Sequence, residues 1–96
     1  MTKLPPGIRI LGKRWTVRHK RVKGDLGSCE IGHTRLNINP DQSDDSMRDT
    51  VLHEAIHGIE DEMGLRMSER QVAGMAVGIL ALLRDNPGLV RFLTDQ

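Results

Sequence analysis

Apolar positions along the chain change their period near residue 40. Before that point they alternate: Ile8 and Ile10 flank Arg9, and Trp15 and Val17 alternate with Thr16 and Arg18. A period of two puts one row of side chains on a buried face and the other in water, which is the pattern of half-buried strands. Leu11-Gly12-Lys13-Arg14 sits between the two runs as a turn, so a hairpin is predicted. After a loop around Lys23-Gly24-Asp25-Leu26-Gly27, a second extended stretch runs from Ser28 to Asn39, with Leu36 and Ile38 on one face, and Pro40 ends it.

Beyond residue 40 the spacing becomes helical. Asp41 to Ser46 is rich in short side-chain oxygens that accept from the free N–H groups of a helix start, and its acids suit the helix dipole. The first helix is expected over residues 44–63, stopped by Gly64. At 100° per residue Val51, Leu52, Ala55, Ile56, Ile59 and Met63 form one apolar stripe, and His53, His57 and Glu60 cluster away from it. Ser68 and Gln71 form a capping box that opens a second helix, expected over residues 68–86. Gly74, Gly78 and Ala81 line up as small residues that would permit a tight helix crossing. Asp85-Asn86-Pro87-Gly88 breaks this helix, with at most one further turn in Leu89 to Leu93. The reading is one α+β domain over residues 1–96. A small antiparallel sheet, the N-terminal hairpin plus a further strand or hairpin, packs on two helices.

Composition adds four constraints. A chain of 96 residues has a thin core that a bound metal would help to hold. Cys29 is the single cysteine, so no intrachain disulfide can form and a reducing cytoplasm is the expected setting. The longest apolar run, Val72 to Leu83, falls well short of the roughly 20 residues that cross a bilayer. The net charge of +1 hides an asymmetry: residues 1–25 carry Lys3, Arg9, Lys13, Arg14, Arg18, Lys20, Arg21 and Lys23 against Asp25 alone, whereas residues 41–69 are mainly acidic. The simpler account of the basic segment is a strand pair with solvated outer faces. Nucleic-acid binding is a minor alternative: no motif supports it, and Trp15 and Phe92 are the only aromatics for stacking.

The chemistry lies in His53-Glu54-Ala55-Ile56-His57. Two histidines four apart on a helix share one face, where both imidazoles reach a single cation, and neutral imidazole is a preferred zinc ligand. Glu54 is rotated off the pair, so its carboxylate is free to act as general base on a water activated by the metal.

Thr50 to Ile59, then Met67 to Val72, then Leu82 to Pro87, together resemble the short zincin-like metallopeptidase proteins encoded by phages and prophages, which are similar to the ImmA/IrrE group. The resemblance covers roughly residues 30 to 90. It implies a small sheet on two helices, a zinc ion on the first helix at His53 and His57, and an acidic third ligand at Glu69 on the second; a peptide or protein substrate is the expected partner. By helix length alone, an antiparallel partner would bring Ala73 rather than Glu69 level with the metal. Glu69 fits only if the helices cross steeply or the turn curls back. Glu60 is the rival ligand, followed by Asp61, His33 and water. With no Tyr present, His33 and Arg35 are the candidate oxyanion or substrate contacts, and Thr34 to Asn39 is the candidate edge strand for an extended substrate. Two functions follow: a zinc-dependent peptidase, or a zincin-like binding module that keeps the metal for stability alone.

Overall fold

The computed structural model describes residues 3–96. Four strands form one sheet: β1 (Gly7–Ile10), β2 (Lys13–His19), β3 (Gly27–Glu30) and β4 (Arg35–Ile38). Three helices follow: α1 (Asp44–Met63), α2 (Glu69–Asp85) and α3 (Pro87–Thr94). The α+β class, the N-terminal hairpin and the limits of the first helix agree with the sequence reading. Among the described residues, no helix is long and apolar enough to cross a membrane.

The sheet is mixed rather than antiparallel. Its order is β1-β2-β4-β3, with β2 and β4 parallel and the other pairs antiparallel. Leu36 and Ile38 on β4 are wholly buried, and the central position lets them pack with Trp15 and Val17 on β2. Burying side chains of this size stabilises by about 1.5–3 kcal/mol each, which favours the central place of β4 beside β2. The extended stretch expected from Ser28 to Asn39 is instead the β3–β4 hairpin. A 3-10 turn, Ile31–His33, interrupts it, and Thr34 lies in the left-handed region at φ 46°. The first hairpin turns on Leu11 and Gly12, both at positive φ, and Lys13 and Arg14 already belong to β2.

Helix α1 is capped by Ser43, whose side chain accepts from the Ser46 N–H, and ends at Gly64 with φ 67°. It buries two faces rather than a single stripe. Met47, Val51 and Ala55 pack on the sheet core, while Leu52 and Ile56 pack with Val72 and Ala76 of α2. Ile59 and Met63 are exposed, and Thr50, Glu54 and Gly58 are buried in their stead. Gly58 has a steric reason: a Cβ there would come within 2.6 Å of the Ile10 side chain, next to Trp15. The helix can lie this close to the sheet only where that position has no side chain.

The capping box forms as expected, with Ser68 and Gln71 exchanging bonds at the start of α2. Gly74 and Gly78, however, face open space, so no tight crossing uses them. Contact between α1 and α2 runs through Ile56, Val72 and Ala76 instead. Beyond Asn86 the chain forms an eight-residue helix, α3, longer than the single turn expected; Pro87 at its first position suits a helix start.

Candidate metal centre

His53 and His57 project from α1 at the seam between its two buried faces, into a groove of about 440 Å³ between β3 and the start of α2. Their ring centroids are 5.1 Å apart. Glu69, in the first turn of α2, bridges them: its Oε2 is 3.1 Å from His53 Nε2, and its Oε1 contacts His57 Nε2. One donor atom from each of the three lies within 4.8 Å of the others. These residues can hold a metal ion. Three donors each about 2 Å from a common ion fall within such a span, and two imidazoles with one carboxylate match the donor set of hydrolytic zinc sites.

Glu69 arrives here because the interhelical turn curls back. Leu65 N–H donates to the Glu60 carbonyl at 2.8 Å, and Met67 N–H donates to Glu60 Oε2, also at 2.8 Å. Met67 then packs against Ile56, Val72 and Ala76, one residue before the Ser68 cap, in the manner of a hydrophobic staple that sets a helix's entry angle. The plain antiparallel register that would have brought Ala73 to the site therefore does not apply.

Glu60, the rival ligand, sits behind His57 rather than beside the donor cluster. Its Oε1 is 2.9 Å from His57 Nδ1. A proton on Nδ1, shared with this carboxylate, leaves Nε2 with the lone pair a metal requires. The Met67 N–H bond first, and then His57, hold the Glu60 carboxyl below the usual carboxylate range, so it stays an acceptor. Glu60 thus orients one ligand with one oxygen and the turn that delivers another ligand with the other.

Glu54 is buried at 8% exposure, beneath the imidazoles and against β3. Burial pushes its carboxyl above the ordinary value, and His53 and His57 oppose the rise. The close approach of β3 depends on Gly27, where a Cβ would fall 2.7 Å from Thr50 Cγ2, 2.9 Å from the Asn37 carbonyl and 3.3 Å from Glu54 Cγ. Cys29 also lines the groove. Burial, and then Glu54, push its thiol up to about 12, and Cys29 lies outside the donor group of His53, His57 and Glu69.

The other expected site residues lie elsewhere. His33 is exposed on the 3-10 turn and outside the groove. Arg35 bonds Glu30 on the opposite face of the sheet. Asp61 is exposed and outside the donor group. Strand β4 has neighbours on both sides, so Thr34 to Asn39 offers no free edge; the outer strand beside the groove is β3. Sequence reasoning missed Gly27, Cys29 and the Asp25–Leu26 loop as groove walls. The available signal was a glycine opening a strand, which marks close backbone approach. Comparison of the chain with protein-family models, curated proteins and solved structures yields no significant match.

Proposed function

We propose that the protein is a zinc-dependent peptidase acting on an extended segment of another protein. His53, His57 and Glu69 are the ion's ligands, and Glu54 is the general base. The observation that carries this reading is Glu54 itself: a carboxylate buried against two imidazoles at the floor of an open groove, with its affinity for a proton raised. Burying such a group costs stability, and carboxyls perturbed in this way concentrate at functional sites. Nitrogen-rich donors of this type favour zinc over magnesium or calcium. When bound, the ion supplies Lewis acidity to a scissile carbonyl and to a water molecule. Glu54 accepts the proton of the attacking water and returns it to the leaving amine. The free edge of β3 aligns the substrate by pairing with its backbone.

A second reading, a zinc-stabilised binding module without turnover, is favoured by one observation: neither His33 nor Arg35 lines the groove, so neither expected oxyanion donor is at hand. One experiment separates the two. Zinc-loaded protein is assayed on a quenched fluorescent peptide library beside Glu54→Gln. The peptidase reading expects the variant to keep its zinc and lose turnover by about 10²–10⁴-fold. Zinc binding by both proteins with no cleavage by either selects the binding module; absence of zinc in both removes both readings.

A further inference from the structure

The sheet has a second face that no helix covers. Because strand side chains alternate, the residues opposite Trp15, Val17, Leu36 and Ile38 all project there, and every one is polar. Arg9 and Arg14 stand directly across from one another on β1 and β2, both exposed. The Arg14 guanidinium lies flat over Gly7, where a Cβ would fall 2.6 Å from its Nη2. Arg18 and Arg35 continue the row and close on Glu30, the one carboxylate of this face. Asn37 joins them by donating to Glu30 Oε2 at 2.7 Å. Beyond it, Lys20, Arg21, Val22 and Lys23 border a depression of about 340 Å³ that Ser28, Asn37 and the already paired Glu30 also line.

Among the described residues, Arg9, Arg14, Lys20 and Lys23 have no carboxylate partner. Like charges placed directly opposite on paired strands are destabilising, so the Arg9–Arg14 pair opposes folding until an anion lies over it. Glu30 is already shared by two arginines and an amide, and leaves nothing for the remaining cations. Arginine in particular suits phosphate, which its planar fork grips through paired N–H donors.

The geometry points to this face as a docking surface for the phosphate backbone of a nucleic-acid duplex. Two features favour a duplex over an acidic protein or a single strand. The centre of a protein interface is typically anchored on aromatic and apolar side chains, and the strand residues of this face present none. A single strand is held by stacking its bases on aromatic rings, and the protein's two aromatics are the buried Trp15 and Phe92 on α3, neither on this face. What remains is charge on a largely polar surface, which binds phosphates without reading bases. The surface is separate from the groove of His53 and His57, so its test is independent of peptidase activity.

The test is fluorescence anisotropy with a short labelled DNA duplex. Four phosphate contacts predict a log–log salt slope near −4, and an affinity drop of about a hundredfold between 50 and 200 mM salt. The double variant Arg9→Gln/Arg14→Gln should lower that slope by about 2 and weaken binding at least about tenfold, with circular dichroism unchanged. Lys20→Gln/Lys23→Gln, in the loop outside the strands, should weaken binding in the same direction and keeps the test open should the strand variant misfold. The proposal is overturned by no binding at 50 mM salt, by binding insensitive to salt, by undiminished affinity in folded variants, or by polyglutamate of equal charge displacing the duplex.

Discussion

The two helices that meet at the donor cluster are held very differently. Helix α1 is packed on both sides, against the sheet and against α2, and its two histidine side chains are only 19% and 21% exposed. Helix α2 buries just Val72 and Ala76, and its contribution, Glu69, is 73% exposed in a first helical turn. One helix therefore offers preorganised donors and the other a pliant one. Open coordination suits hydrolytic zinc sites, which keep a position free for water and substrate. The contrast predicts unequal losses when each part is removed.

The largest effect should come from α1. His57→Ala removes a fixed donor and leaves Glu60 Oε1 without its imidazole partner, and should abolish stoichiometric zinc uptake, read by metal analysis after dialysis. Glu69→Gln should be milder: zinc binds more weakly but measurably, and the thermal shift on adding zinc shrinks without vanishing. Equal loss in both variants would erase the distinction between the helices.

Glu60→Gln sharpens the comparison, since Glu60 connects the two helices without touching the donor atoms. Loss of such an orienting carboxylate typically costs about 10–100-fold in metal affinity, and titration calorimetry with zinc should find that range. Glu60→Ala, which also removes the acceptor at Met67 N–H, should in addition speed hydrogen exchange in the turn.

Two changes in the sheet provide controls that should leave zinc binding alone. Its bond from Asn37 first, then Arg35 and Arg18, keep the Glu30 carboxyl below its ordinary value. A depressed acid stabilises the fold above its unfolded pKa and loses that contribution as pH falls through the folded value. Wild-type Tm should therefore decline more steeply than that of Glu30→Gln as pH falls below about 4.5. The smallest effect belongs to Leu11, 67% exposed and held at φ 50°. Leu11→Asn, a residue that suits this turn, should raise stability by about 0.5–1 kcal/mol in urea titration.

Much of this architecture was legible from local pattern. Alternation around Trp15, the Ser43 and Ser68 caps and the Gly64 stop are all local signals, and each formed where the sequence indicated. The missing parts depend on long-range packing. Nothing local says that β4 enters between β2 and β3, because insertion is decided by where Leu36 and Ile38 find the most burial. Nothing local shows that Glu54 is buried, because Gly27 on a distant strand brings a backbone over it. Glu69 reaches the histidines through a turn held by a Glu60 side chain, which helix length alone does not describe. His33 and Arg35 were assigned by nearness in sequence to the helix of His53 and His57, and strand alternation together with the 3-10 turn sent them elsewhere.

The most direct measurement is anomalous X-ray scattering at the zinc edge from crystals grown with the metal. A single ion per chain should appear at the Nε2 atoms of His53 and His57 and the carboxylate of Glu69, with Glu54 outside the coordination shell and facing the open position. Density for zinc at any other group of residues, or none beside these two imidazoles at full metal loading, would contradict the account.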